Sequence, residues 1–241
     1  MRTHLFTKIT HKESIMIIQG LQKLTVLDFP GQVACIIFTA GCSFRCPFCH
    51  NATLVKGEGD VISEEEIFSY LKKRQGILDG VVITGGEPTI QKDLKEFISK
   101  IKAMGYKVKL DTNGYHPKQL KELLDARLLD YVAMDIKNSK EKYALTTGIP
   151  NIDISRIEES VELLKNGNVP YEFRTTTMAE LHSTQDIVAI AEWLEGASKH
   201  YIQSFKDSGD ILNGTFTPLN EQKIAEFKQI LTKTILEVGT R

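Results

Sequence analysis

Cys42, Cys46, Cys49 and His50 fall within one short stretch, GCSFRCPFCHN, spanning 41–51. Thiols and an imidazole at this spacing support four chemistries. A C-x-x-C pair can cycle between dithiol and disulfide, and C-x-x-C-H is the haem c attachment pattern. Three cysteines and a histidine can surround zinc. Three cysteines with no near fourth can hold an iron–sulfur cluster that leaves one iron open.

Composition narrows the choice. The chain has 241 residues, 41% hydrophobic and 25% charged, with a net charge of −1. That is enough chain for one large α/β domain with a buried core, and the charge balance points to neither nucleic acid nor a membrane surface. Residues 1–14 read as a poorly ordered extension, with Met16 a candidate start and 15–241 one domain. The apolar run Ile15 to Ile18 is too short for a signal peptide's core, and no run nears the ~20 apolar residues of a membrane span. A cytoplasmic protein is expected. Cytosolic thiols stay reduced, which disfavours a structural disulfide, and haem attachment is expected on the exported side of a membrane.

The elements that must position the cysteines alternate regularly. Apolar β-rich runs at 33–41, 80–86, 107–114, 129–137, 171–178 and 201–205 predict strands. Helix-period segments predict helices at 62–74, 93–105, 116–126, 155–167, 184–196 and 220–235. Ser63 and Glu66 have capping-box spacing, and Pro117 suits a first turn. About six βα units imply parallel strands with right-handed crossovers. They are too few to close an eight-stranded barrel. A doubly wound sheet and a partial barrel remain, and both place function at the C-terminal strand ends.

Those ends carry the polar residues. The first strand runs into Gly41-Cys42, the second into TGGEP (84–88), the third into DTNG (111–114) and the fourth into MDIKN (134–138). Arg174 lies on the fifth and Gln203 on the sixth. Each has a plainer reading. The glycine motifs make turns, and Asp135 with Lys137 makes a surface ion pair worth under about 1 kcal/mol. Arg174 is harder to explain away, because a buried guanidinium needs partners. Their shared position on one rim, with the cysteines, argues for a site.

The spacing C-x3-C-x2-C lets a loop present three thiolates to an inorganic core. Zinc sites more often pair two distant C-x2-C halves. His50 adjoins Cys49, so a zinc site would have to draw on His116 or His182. The remaining cysteine, Cys35, lies inside an apolar strand as a small buried thiol. The expected centre is a [4Fe–4S] cluster on Cys42, Cys46 and Cys49, with one iron open.

The cysteine motif with Phe48 before its last member, and GGEP after the second strand, resemble the radical S-adenosylmethionine (SAM) superfamily. The resemblance runs from about Gly20 to Phe205. It implies a partial TIM-like (β/α)6 barrel open on one side, with a [4Fe–4S] cluster and SAM as cofactors. It implies reductive cleavage of SAM to a 5′-deoxyadenosyl radical that abstracts hydrogen. It also implies roles: Phe48 near the adenine; Gly85, Gly86 and Glu87 toward the SAM ammonium; Lys137 and Arg174 toward its carboxylate or ribose. Asp111, Thr112 and Asp135 are compatible with a monovalent cation beside that carboxylate.

TVLDFPG (25–31) followed by GCSFRCPFCHN is similar to glycyl-radical-enzyme activases, most of all to anaerobic ribonucleoside-triphosphate reductase activating proteins. The implied partners are a glycyl radical enzyme and a low-potential electron donor such as flavodoxin or ferredoxin. Pyruvate formate-lyase activases carry a histidine near SAM at the last strand's end, where this sequence has Gln203. Alternatives are a pyruvate formate-lyase-type activase, or a radical SAM enzyme on a small molecule, such as a deazapurine synthase, closed by 206–219. The non-enzyme alternative is an iron–sulfur or zinc binding module.

Overall fold

The computed structural model describes residues 16–207 and 209–241. The extension expected over 1–14 lies outside the described residues. One eight-stranded sheet organises the chain, with strands in sequential order. They are β1 (Ile18–Thr25), β2 (Ala34–Thr39), β3 (Gly80–Gly85), β4 (Lys107–Thr112), β5 (Tyr131–Asp135), β6 (Tyr171–Thr177), β7 (Lys199–Ser204) and β8 (Glu237–Thr240). β1 is antiparallel to β2, and every later neighbour pairs in parallel.

Sequential order decides between the two candidate architectures. A doubly wound sheet reverses its order at a switch point. Here the order never reverses, so every right-handed crossover packs its helix on the same face and the sheet curls as a partial barrel. The sheet does not close: β1 and β8 are its two edges. The six expected strands form its body. Two edge strands add to them, one antiparallel and one after the last helix.

The helices are α1 (Ala52–Lys56), α2 (Glu64–Lys73), α3 (Leu94–Ala103), α4 (Pro117–Asp125), α5 (Tyr143–Thr147), α6 (Ile154–Lys165), α7 (Thr184–Trp193) and α8 (Glu221–Leu231). Ser63 caps α2 by accepting from the Glu66 amide, as its spacing predicts. A full capping box, Ser183 with Asp186, starts α7. No helix among the described residues is long and apolar enough to cross a membrane.

The strands divide their side chains by face. Cys35, Ile37, Val81, Ile83, Val108, Leu110, Val132 and Met134 face the helices in the main core. Phe29, Ala34, Ile36, Val82 and Tyr131 form a smaller cluster inside the curl. Phe29, from the β1–β2 loop, packs its ring 6.3 Å from that of Tyr131. Gly80 makes room for it, since a Cβ there would lie 2.8 Å from the Phe29 ring. This plug fills the end where β2 and β5 begin and leaves the opposite rim to polar groups.

Candidate active site

The cysteine loop leaves β2 through Gly41, whose φ of +80° suits glycine and whose amide donates to the Leu54 carbonyl at 2.7 Å. Two further parts of the fold then hold the loop. The Arg45 amide donates to the Thr147 carbonyl at 2.8 Å, and its guanidinium donates to the carbonyls of Cys42 (2.6 Å) and Phe44 (2.7 Å). Gly148, which ends α5, lies so close to the Arg45 carbonyl that a Cβ would overlap it. From the far end of the chain, the amides of Leu212 and Asn213 donate to the carbonyls of Cys49 (3.0 Å) and Pro47 (2.9 Å). Phe216 packs edge-on against Phe48, with ring centres 6.1 Å apart. The polar segment after β7 is thus the outer wall of the cysteine loop.

Cys42, Cys46 and Cys49 all line one cavity of about 320 Å³ at the C-terminal strand ends. Cys35 is fully buried on the opposite face of β2. Burial pushes the Cys46 thiol up to about 12 against the pull of Lys137, and it pushes Cys42 up to about 11 with Glu87 adding to the rise. At Cys42 and Cys46 burial favours the thiol, so a thiolate-bound centre must bring the positive charge that displaces those protons. Among the described residues no three His, Cys, Asp or Glu side chains converge on a point that would hold one metal ion. A cluster asks something different of its ligands, a separate corner for each thiolate, and three cysteines on one cavity wall fit that demand. His182 is committed elsewhere: Nδ1 accepts from the Met178 amide at 3.4 Å and Nε2 meets the Lys137 carbonyl at 3.0 Å. His116 does not line the cavity, whereas His50 does.

Every expected cofactor contact except Glu87 also lines this cavity. The GGE turn shows why its glycines are needed. Gly85 has φ +126°, and a Cβ on it would overlap the Thr39 backbone. A Cβ on Gly86 would overlap the Gly41 carbonyl and come within 3.3 Å of the Cys42 Cβ. Their closeness lets the Gly86 amide donate to Thr39 (2.9 Å) and the Glu87 amide to Gly41 (2.8 Å). The end of β3 is stitched to the start of the cysteine loop. The Glu87 carboxylate points away from the cavity, fully buried among Thr89, Thr112 and Asn113.

The inner rim carries a chain of alternating charges. Arg174 on β6 donates to Asp135 through Nε (2.9 Å) and to Asp111 through Nη1 (3.1 Å). Lys137 pairs with Asp135 at 2.9 Å, and Lys109 pairs with Asp111. Burial works against both carboxylates, yet Arg174 with Lys137 or Lys109 holds each below its usual range. Burial likewise opposes the Lys137 charge, and Asp135 with Cys46 still keeps its pKa raised. Three cations face two carboxylates, leaving a net charge of +1 that suits an anionic ligand group. The resemblance implies an added monovalent cation beside Asp111 and Asp135. Here Arg174 spans the two, so the carboxylate oxygens such an ion needs are already engaged.

Sequence reasoning missed Lys109 and the separate importance of Asn113. Lys109 is 1% exposed in the middle of β4. Its signal was available: it stands two residues before Asp111, on the same face of the strand. Asn113 was read only as part of a turn, but its amide nitrogen reaches Ser43 Oγ (3.1 Å) and Cys42 Sγ (3.8 Å).

A barrel rim that gathers three cysteines, a double-glycine turn and a cationic inner wall defines a class of cluster-dependent, SAM-using enzymes. The profile of the Radical SAM superfamily matches residues 36–194, and the chain belongs to that family. A protein of Methanocaldococcus jannaschii named "Putative glycyl-radical enzyme activating enzyme MJ1227" is 33% identical over 232 residues, which is 93% of this chain and 95% of that one. A second from the same organism, MJ1632, carries the same description and is 28% identical over 207 residues, or 84% of this chain and 78% of its own. Among solved structures, Streptococcus suis SuiB bound to its precursor peptide SuiA superposes with a TM-score of 0.69 at 14% identity. The match covers 86% of this chain and 48% of SuiB, and it shows the shared fold. The chain is a radical SAM enzyme, and the family's cofactors are a [4Fe–4S] cluster and SAM.

Proposed function

We propose that this protein activates a glycyl radical enzyme, and that its protein substrate is an anaerobic ribonucleotide reductase. The observation that carries the reading is the convergence of Cys42, Cys46 and Cys49, and not Cys35, on one cavity that also meets the GGE turn and the cationic rim. The near full-length similarity to MJ1227 supports the activase branch. Cys42, Cys46 and Cys49 would hold the cluster, and with SAM bound it would supply the one-electron chemistry that parts the sulfonium into methionine and a 5′-deoxyadenosyl radical, the hydrogen acceptor for a glycine of the partner.

The chain's own residues do the rest. Gly85 and Gly86 offer backbone polar groups to the SAM ammonium from a turn that only glycine lets lie against Thr39 and Gly41. Phe48, buried and braced by Phe216, gives the adenine an aromatic edge. The net positive rim of Lys137 and Arg174 receives the carboxylate, and Gln203 adds a neutral hydrogen-bonding group on β7. The unpaired edges β1 and β8 leave a side through which a peptide loop can enter. Electrons come from a low-potential donor of the flavodoxin or ferredoxin kind.

The test is anaerobic reconstitution with about four irons per chain, then mixing with reductant, SAM and a reductase partner. A glycyl radical signal on the partner is expected, with one 5′-deoxyadenosine formed per radical. Deuterium placed on that glycine should appear in the 5′-deoxyadenosine. Label transfer from a small molecule, with none from the protein, overturns the assignment.

A further inference from the structure

Glu87 is the one expected cofactor contact that turns away from the cavity, and its surroundings give it a different task. Its carboxylate accepts from the Thr89 amide (3.1 Å) and hydroxyl, the Thr112 hydroxyl (2.7 Å) and the Asn113 amide (2.6 Å). A fully buried carboxylate must be satisfied in this way. The result is a bracket between the end of β3 and the turn after β4.

A side chain of that turn reaches a cysteine. With the Asn113 backbone held by Glu87 Oε2, its side-chain Oδ1 accepts from the Tyr115 amide at 3.0 Å. This bond fixes which end of the side-chain amide faces outward. Nδ2 then reaches Ser43 Oγ at 3.1 Å and Cys42 Sγ at 3.8 Å. The Phe44 amide reaches the same sulfur at 3.3 Å. Among the described residues, both hydrogen bonds to a cysteine sulfur fall on Cys42. Gly114 follows with φ +74°, a backbone conformation that favours glycine.

We propose that Asn113 is an N–H···S donor that sets the reduction potential of the iron–sulfur centre through Cys42, and that Glu87 is the positioning residue that aims it. The proposal rests on the cluster reading above. Donation to a ligating sulfur offsets the negative charge gained on reduction and raises the potential. Without it the centre is harder to reduce.

The experiment is an EPR-monitored redox titration, in the absence of SAM, of reconstituted wild type, Asn113→Leu and Glu87→Gln. Leu keeps the bulk of Asn without a donor. Gln keeps the bulk of Glu but loses one acceptor oxygen, so it cannot hold both strand ends. Both variants should carry full iron and sulfide and show a more negative midpoint potential, with the larger shift in Asn113→Leu. Resonance Raman should show a changed Fe–S(Cys) stretch in both. If Asn113→Leu fails to load, Asn113→Ala, which also lacks a donor, is titrated in its place with the same expectation. A fully loaded Asn113 variant with an unchanged midpoint overturns the proposal. An unchanged Glu87→Gln overturns the positioning role. A wild type that takes up no cluster sinks the function reading instead.

Discussion

At the scale of residues, the site's chemistry follows from which side chains share a face. Cys35 and Cys42 are near neighbours in sequence, but the strand directs one into the helix-facing core and the loop carries the other to the cavity. Cys46→Ala should therefore abolish cluster uptake and SAM cleavage. Cys35→Ala should keep both and cost about 1 kcal/mol of stability, as a small core truncation does; iron content and urea unfolding measure the two. The charge chain predicts a pH dependence. The Asp111 and Asp135 pKa values lie below those of the unfolded chain. Their contribution is full above the unfolded value of about 3.9 and drains away as pH falls through the folded values. Wild type should thus lose stability in urea as pH drops from about 5 to 3. Arg174→Met should be less stable at pH 7 and fall less steeply over that interval. The cysteines and charged strand ends were legible because such residues rarely interrupt apolar runs without cause. Lys109 was passed over although its place two residues before Asp111 marked it, because such a pair also reads as solvated, and only the curl of the sheet turns that face inward.

At the scale of elements, alternating apolar runs revealed the six central strands, since each buries both faces between barrel interior and helices. β1 escaped notice because it lies at an edge, has three consecutive exposed residues, and pairs irregularly with β2. β8, α1 and α5 are too short to carry a period. Yet α5 matters to the site, because its terminal glycine admits the Arg45 carbonyl. The β3 turn gives a sharp test. Gly86→Ala forces a methyl group into the Gly41 carbonyl, so the cysteine loop must shift and cluster uptake should fall severely. Gly105→Ala meets nothing within 4 Å, and its φ of +91° carries only the backbone penalty, about 1 kcal/mol. Iron stoichiometry after parallel reconstitution separates the two outcomes.

At the scale of the whole molecule, the curl has two differently built ends. The rim is charged and open, while the opposite end is plugged by Phe29 and Tyr131. It is also locked at Glu172, which accepts from Tyr131 (2.9 Å) and from both terminal nitrogens of Arg241 (2.7 and 3.0 Å). Arg241→Ala removes the cation facing a fully buried carboxylate and should destabilise the fold by about 2–4 kcal/mol, read by urea unfolding. Cofactor loading, at the far end, should be unchanged in the protein that remains folded. Parallel strands in βα units were legible from strict alternation. The choice against a doubly wound sheet was not, because strand order is a property of pairing that periodicity does not encode.

The wall behind the cysteine loop has a consequence for biosynthesis. Thr53, just past the loop, is bonded to Asp210 across a separation of 157 residues. The ribosome therefore finishes the metal-binding motif well before it supplies the residues that cover it. Until those residues emerge, the three thiols stand without their outer wall, open to oxygen and stray metals. A cluster donated after that segment has packed against the loop meets the cavity already walled, whereas one donated before it does not.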